Sequence, residues 1–198
     1  MRSSHVQVLG ASGFRQLAYT EWGKEGKGQR TLICVHGLTR NGRDFDALAK
    51  KLSDRYRVIC PDVAGRGQSD WLNDASLYDF PLYMSDLAAL IARLDVEEVD
   101  WLGTSMGGLI GLFMAVQPNS PIKRLILNDV GPKLSGEALA RIAAYVAYRP
   151  LFPNIESAEG HFRLVHAPFG QLSDAQWRHL TETSLRSVPG GFEFHYDP

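Results

Sequence analysis

Residues 99–116 read VDWLGTSMGGLIGLFMAV. The run Val99–Leu102, following the acidic pair Glu97 and Glu98, predicts a strand; Gly103–Gly108 predicts a sharp turn; Leu109–Val116 is almost wholly apolar and predicts an interior helix, stopped by Pro118. Within the turn, Gly103-Thr104-Ser105-Met106-Gly107 has the form G-x-S-x-G. A serine raised on so tight a strand-to-helix turn is forced into a strained backbone, and side chains two residues to either side would collide with the turn. Glycine at 103 and 107 removes those collisions, and Gly108 lets the helix approach the sheet. The helix N-terminus then aims unpaired N–H groups at any negative charge forming beside Ser105.

Outward from this bend the same grammar repeats. Thr31–Val35 is a continuous apolar run with β-branched residues, as a strand buried on both faces of a parallel sheet should be, and Arg57–Cys60 and Lys123–Leu127 read as further strands. Between them, Phe45–Leu52 and Phe80–Leu94 carry apolar residues at helical spacing, with Asp44 or Asn41 as a cap for the first. Alternating strands and helices predict an α/β fold with a mostly parallel sheet and flanking helices. Val6–Leu9 and Arg15–Trp22 read as a hairpin turning at Gly10–Gly13, ended by the glycine-rich Gly23–Gly28. Beyond Gly131 the strand pattern stops, and Ala138–Tyr148, Ala158–Val165 and Asp174–Leu185, the last capped by Ser173, read as an all-helical appendage. The expected organisation is a core over residues 1–131 and a helical cap segment over 132–198.

Composition narrows the partners. With 21 basic against 22 acidic residues in 198, and no run of like charge, nothing favours nucleic acid or a membrane surface, so a small molecule is the expected partner. The first ten residues lack the apolar stretch of a signal peptide. Cys34 and Cys60 lie in strand-like runs without metal-ligand spacing and read as reduced packing residues of a cytoplasmic protein.

His36-Gly37-Leu38-Thr39 follows the first buried strand, at the sheet end where open α/β folds bind ligands. Together with Asp62-Val63-Ala64-Gly65-Arg66-Gly67-Gln68-Ser69 and Gly103–Gly108, it makes the chain resemble the α/β-hydrolase family, well over residues 5 to 130 and, beyond that, as the start of the family's cap. The resemblance implies an acyl-enzyme mechanism on an ester, thioester or related acyl substrate, with Ser105 as nucleophile, the N–H groups of Leu38 and Met106 as oxyanion donors, and no metal or organic cofactor. Serine at 105 separates the chain from the aspartate-dependent dehalogenase and epoxide-hydrolase branches. A carbon–carbon bond hydrolase or perhydrolase on the same scaffold is the rival among enzymes. A catalytically incomplete fragment or binding protein is the rival outside them.

A serine nucleophile needs a histidine and an acid. In relatives these follow later strands; the sequence ends at Pro198 with no recognisable seventh or eighth strand, reads as truncated, and is expected to be nearly inactive alone. Asp129 is a candidate acid, though a loop-bonding or pocket-shaping role is favoured. His36 reads as a structural histidine bonding nearby backbone, and His166, after a cap helix, as structural or superficial; His5, His161, His179 and His195 have no stronger claim. Asp62 and Ser69 read as self-bonding loop residues, Arg66 as a loop brace, and Trp71 and Trp101 as packing. Tyr145, Tyr148, Phe152, Phe162, Phe169 and Trp177 offer an aromatic face for the cap, as a core or as an acyl pocket.

Overall fold

Parallel strands need helical crossovers, and the apolar runs at 31–35, 57–60 and 99–102 can all be buried only in the middle of a sheet covered on both faces. The computed structural model, which describes residues 1–11, 13–23, 29–131, 133, 136–146 and 148–197, has that arrangement. It divides into two compact units, Met1–Leu134 and Ser135–Pro198.

In the first unit the strands are β1 (Arg2–Gly10), β2 (Gly13–Trp22), β3 (Arg30–Val35), β4 (Tyr56–Pro61), β5 (Val99–Thr104) and β6 (Ile122–Asn128). Their order is β1-β2-β4-β3-β5-β6. β3 runs parallel to β4 and β5, and β5 to β6, while the hairpin β1–β2 joins antiparallel through β2 to β4. Helices α1 (Asp46–Leu52), α2 (Phe80–Arg93) and α3 (Met106–Ala115) make the crossovers. Ser12 of the expected Gly10–Gly13 turn, and residues 24–28, lie outside the described residues.

α2 starts where Asp79 accepts the Leu82 N–H and Pro81 occupies the first turn, which lacks internal partners in any helix. It buries Tyr83, Leu87, Leu90 and Ile91 against Leu17, Ile33, Ile59 and Trp101 of the sheet. Each such aliphatic side chain contributes about 1.5–3 kcal/mol of burial. On the other face Phe45 and Ala49 cover Cys34 and Cys60. These cysteines are free and buried on neighbouring strands; the hydrogen bond to Cys34, with burial, pushes the Cys60 thiol up, so it stays protonated.

Two expectations need correction. α3 begins at Met106, not Leu109, and it is not interior all round: Phe113 and Val116 are 45% and 74% exposed. An apolar helix on the outer face of a sheet buries only the stripe facing the strands, here Met106, Ile110 and Met114 with the glycines between.

The second unit, too, is not all-helical. α4 (Gly136–Val146), α5 (Ile155–Val165) and α6 (Asp174–Thr183) are followed by a hairpin, β7 (Leu185–Val188) with β8 (Gly191–Phe194). Val188 pairs with Gly191, so the loop is Pro189-Gly190, with Gly190 at φ 91°: proline presets the first loop position and glycine supplies the left-handed second. Phe152 extends the hairpin by exchanging two backbone hydrogen bonds with Phe192. Ser173 caps α6 in a reciprocal box with Gln176. Phe152, Phe162 and Phe194 pack as this unit's own core. Trp177 is also buried, whereas Tyr148 and Phe169 are exposed; the side chain of Tyr145 lies outside the described residues. Among the described residues no helix is long and apolar enough to cross a membrane.

Candidate active site

β5 ends at Thr104 and α3 starts at Met106, leaving one residue to reverse the chain. That residue is Ser105, at φ 50°, ψ −115°, a left-handed conformation uncommon for any side-chain-bearing residue. A Cβ at Gly103 would lie inside the Gly107 carbonyl, and one at Gly107 inside the Val35 carbonyl. Both glycines are therefore demanded by backbone approaching backbone.

The bend is pinned from three sides. Ser105 N–H donates to Asn128 O at 2.9 Å, Gly107 N–H donates to His36 O at 3.1 Å, and the Trp101 indole N–H donates to Gly107 O at 3.0 Å. The last bond was not anticipated for Trp101, read as packing alone; its ring lies fully buried against Gly111. Ser105 Oγ has no hydrogen bond among the described residues.

Peptide planarity settles where the two candidate donors point, because C=O and N–H of a trans unit face opposite ways. Ser105 O accepts from Gly108 and Leu109, along α3, so Met106 N–H points off the helix end. Gly37 O accepts from Arg40 N–H at 3.1 Å and bonds His36 Nδ1 at 2.7 Å, which turns Leu38 N–H the other way. Among the described residues neither N–H has an acceptor. The two loops are neighbours: a Cβ on Gly37 would stand 3.7 Å from Ser105 Cβ.

His36 is fully buried with both ring nitrogens engaged. Val63 N–H donates to Nε2 at 2.9 Å, so the ring proton sits on Nδ1 and is donated to Gly37 O. Burial lowers its pKa from 6.5 to about 4. Asp62, also buried, accepts from Gly42 N–H (2.7 Å) and Gln68 N–H (2.8 Å), and burial raises its pKa from 3.8 to about 6. Ser69 Oγ donates to Asp62 O and accepts from Ala18 N–H. Arg66 Nε donates to Leu38 O at 3.0 Å.

His36 and Asp62 oppose each other on acidification. From pH 6.5 to 4 the unfolded chain binds a proton at His36 that the folded one refuses, which costs about 3 kcal/mol of stability at full titration. From pH 6 to 3.8 the folded chain binds one at Asp62 before the unfolded one does, a gain of about the same size. Asp62→Asn removes the gain and keeps the loss. Urea unfolding should show the variant losing about 2–3 kcal/mol more than the parent between pH 6 and pH 4; parallel curves would contradict it.

Asp129 follows the end of β6 at φ 54°, exposed, and next to the carbonyl that holds Ser105 N–H. The structure therefore brings its backbone to the bend. Its carboxylate has no hydrogen bond among the described residues. His5 sits on β1, the sheet edge opposite β6. In the second unit His161 lies among the rings of Tyr148, Phe152 and Phe194, His166 ends α5 stacked on Phe169, His179 is on α6, and His195 follows β8 with its pKa pushed down by burial and Arg186.

A parallel sheet whose C-terminal loops present a strained serine beside two acceptor-free amides defines the class as hydrolases of the α/β kind. The profile of the alpha/beta hydrolase fold matches residues 30–156, and the chain belongs to that family. It is 50% identical, over its whole length and 68% of the relative's, to a 3-hydroxybutyrate-oligomer hydrolase of Cupriavidus necator. It is 30% identical to a 2-(acetamidomethylene)succinate hydrolase of Mesorhizobium japonicum, over 81% of this chain and 56% of that one. Among solved structures, an alpha/beta hydrolase from Novosphingobium aromaticivorans superposes with a TM-score of 0.85 at 31% identity, covering 98% of this chain and 68% of that one.

Proposed function

We propose that the protein is a serine esterase that cleaves the ester links of short 3-hydroxybutyrate oligomers, with Ser105 as nucleophile. The observation that supports the mechanism is the strained backbone at Ser105, φ 50° and ψ −115°, on a bend whose Cβ lies against the Gly37 loop that carries Leu38. The substrate class rests on the likeness to the Cupriavidus enzyme over the whole of this chain.

Ser105 Oγ attacks the ester carbonyl carbon, its proton passes to a base, and the carbonyl oxygen takes the negative charge. Two amides aimed at that oxygen stabilise the tetrahedral state more than the flat ester, which is what accelerates the step. Collapse expels the alcohol end of the oligomer, and water then releases the 3-hydroxybutyryl group from Ser105. Neither histidine of Met1–Leu134 is placed to act as that base: both His36 nitrogens are engaged, and His5 is at the far sheet edge. Asp129, at the end of β6, is a candidate for the acid that orients it.

The test is to incubate the intact protein with the linear 3-hydroxybutyrate trimer, follow monomer and dimer release, and map the residue labelled by a fluorophosphonate. Release of both products with label on Ser105 is expected. Label on another serine overturns the mechanism, and an uncleaved trimer beside a cleaved p-nitrophenyl butyrate overturns the substrate class.

A further inference from the structure

We infer that Arg66 is a positioning residue for the oxyanion site, holding the Leu38 backbone in the orientation that keeps its N–H available. The inference rests on the reading of Ser105 and Leu38 above.

Leu38 joins two peptide planes, and its N–H stays aimed only while neither plane turns. The first, Gly37–Leu38, is tied through Gly37 O to Arg40 N–H and His36. The second, Leu38–Thr39, is tied through Leu38 O to Arg66 Nε, reaching across from the loop after β4. Without that donor the second plane can rotate, and a counter-rotation of the first swings the N–H away.

Arg66 is itself immobilised. Its NH1 donates to Ala64 O at 2.7 Å and to the Tyr83 hydroxyl at 2.9 Å, and the guanidinium lies 5.3 and 5.5 Å from the Tyr78 and Tyr83 ring centres. It is 8% exposed. A planar fork fixed by two tyrosines and a carbonyl keeps its Nε direction without further ordering cost, which a flexible surface arginine would not do. Arg66 meets Leu38 at its carbonyl and not at the N–H, so its loss should appear in the transition state and not in substrate binding.

The experiment compares Arg66→Met and Arg66→Lys with the parent protein in two readouts. In the ¹H–¹⁵N spectrum the Leu38 and Thr39 amide resonances should shift or broaden. On p-nitrophenyl butyrate kcat should fall about tenfold or more, a part of the 10²–10³ lost when a whole oxyanion donor is deleted, while KM stays within about twofold. Lysine, whose three donors sit on one flexible ammonium and not on a planar fork, should fall between the methionine variant and the parent, and serves if the methionine variant does not fold. Either folded variant with unmoved Leu38 and Thr39 resonances, or with moved resonances and unchanged kcat, overturns the inference. A parent protein inert to both ester and fluorophosphonate would instead sink the esterase reading, and the amide spectrum would still decide what Arg66 holds.

Discussion

Ser105→Ala and Ser105→Gly should both abolish ester hydrolysis, yet differ in stability. Removing the nucleophile of a serine hydrolase costs on the order of 10⁶-fold in kcat. The intact parent protein and the two variants, assayed on p-nitrophenyl butyrate, should therefore divide into one active protein and two at background. Thermal unfolding should divide them differently. At φ 50°, ψ −115° position 105 holds a conformation that costs a side-chain-bearing residue about 1–3 kcal/mol and glycine little. Alanine keeps that strain and should melt close to the parent. Glycine relieves it, and after the entropy it loses on folding should gain about 1 kcal/mol, or about 3 °C. Residual turnover in the alanine variant would move the nucleophile elsewhere. Equal melting of the two would mean that position 105 is unstrained.

That strain was readable because the bend advertises itself: glycines at 103 and 107 stand where the chain comes within reach of Gly107 O and Val35 O. The central strands were equally readable, since parallel strands buried on both faces are mostly apolar, even though β5 carries a buried Asp100. β7 and β8 were missed. At four residues each they are too short for a period-two pattern to stand against the helical pattern running in from α6, although Pro189-Gly190-Gly191 marked the turn. The contacts that build the site were hidden for another reason. His36 meets Val63, Arg66 meets Leu38 and Asp62 meets Gly42 across 27, 28 and 20 residues, and local spacing carries no trace of such pairs. The motif residues could be selected, but their mutual bracing depends on β3 and β4 lying side by side.

Asp86→Ala should destabilise the first unit by about 3–5 kcal/mol, whereas Arg15→Met with Asp86→Leu should be close to neutral or stabilising. Arg15 on β2 and Asp86 on α2 form an ion pair within the core, 7% and 2% exposed. Among the described residues Arg15 Nε and NH1 and one Asp86 oxygen have no hydrogen-bond partner. Burial raises the Asp86 pKa despite the adjacent guanidinium, so desolvation outweighs what Arg15 returns. An incompletely satisfied pair of this kind adds little net stability, but each member needs the other, because a lone buried charge has neither water nor a partner. Tyr83 and Leu90, three residues before and four after Asp86 on α2, belong to the buried core, which two aliphatic residues of similar volume could join. Urea unfolding of Arg15→Met, Asp86→Leu and the double variant, beside Asp86→Ala, measures the coupling directly. If the double variant is as unstable as Asp86→Ala, the ion pair is itself a net source of stability and the desolvation argument fails.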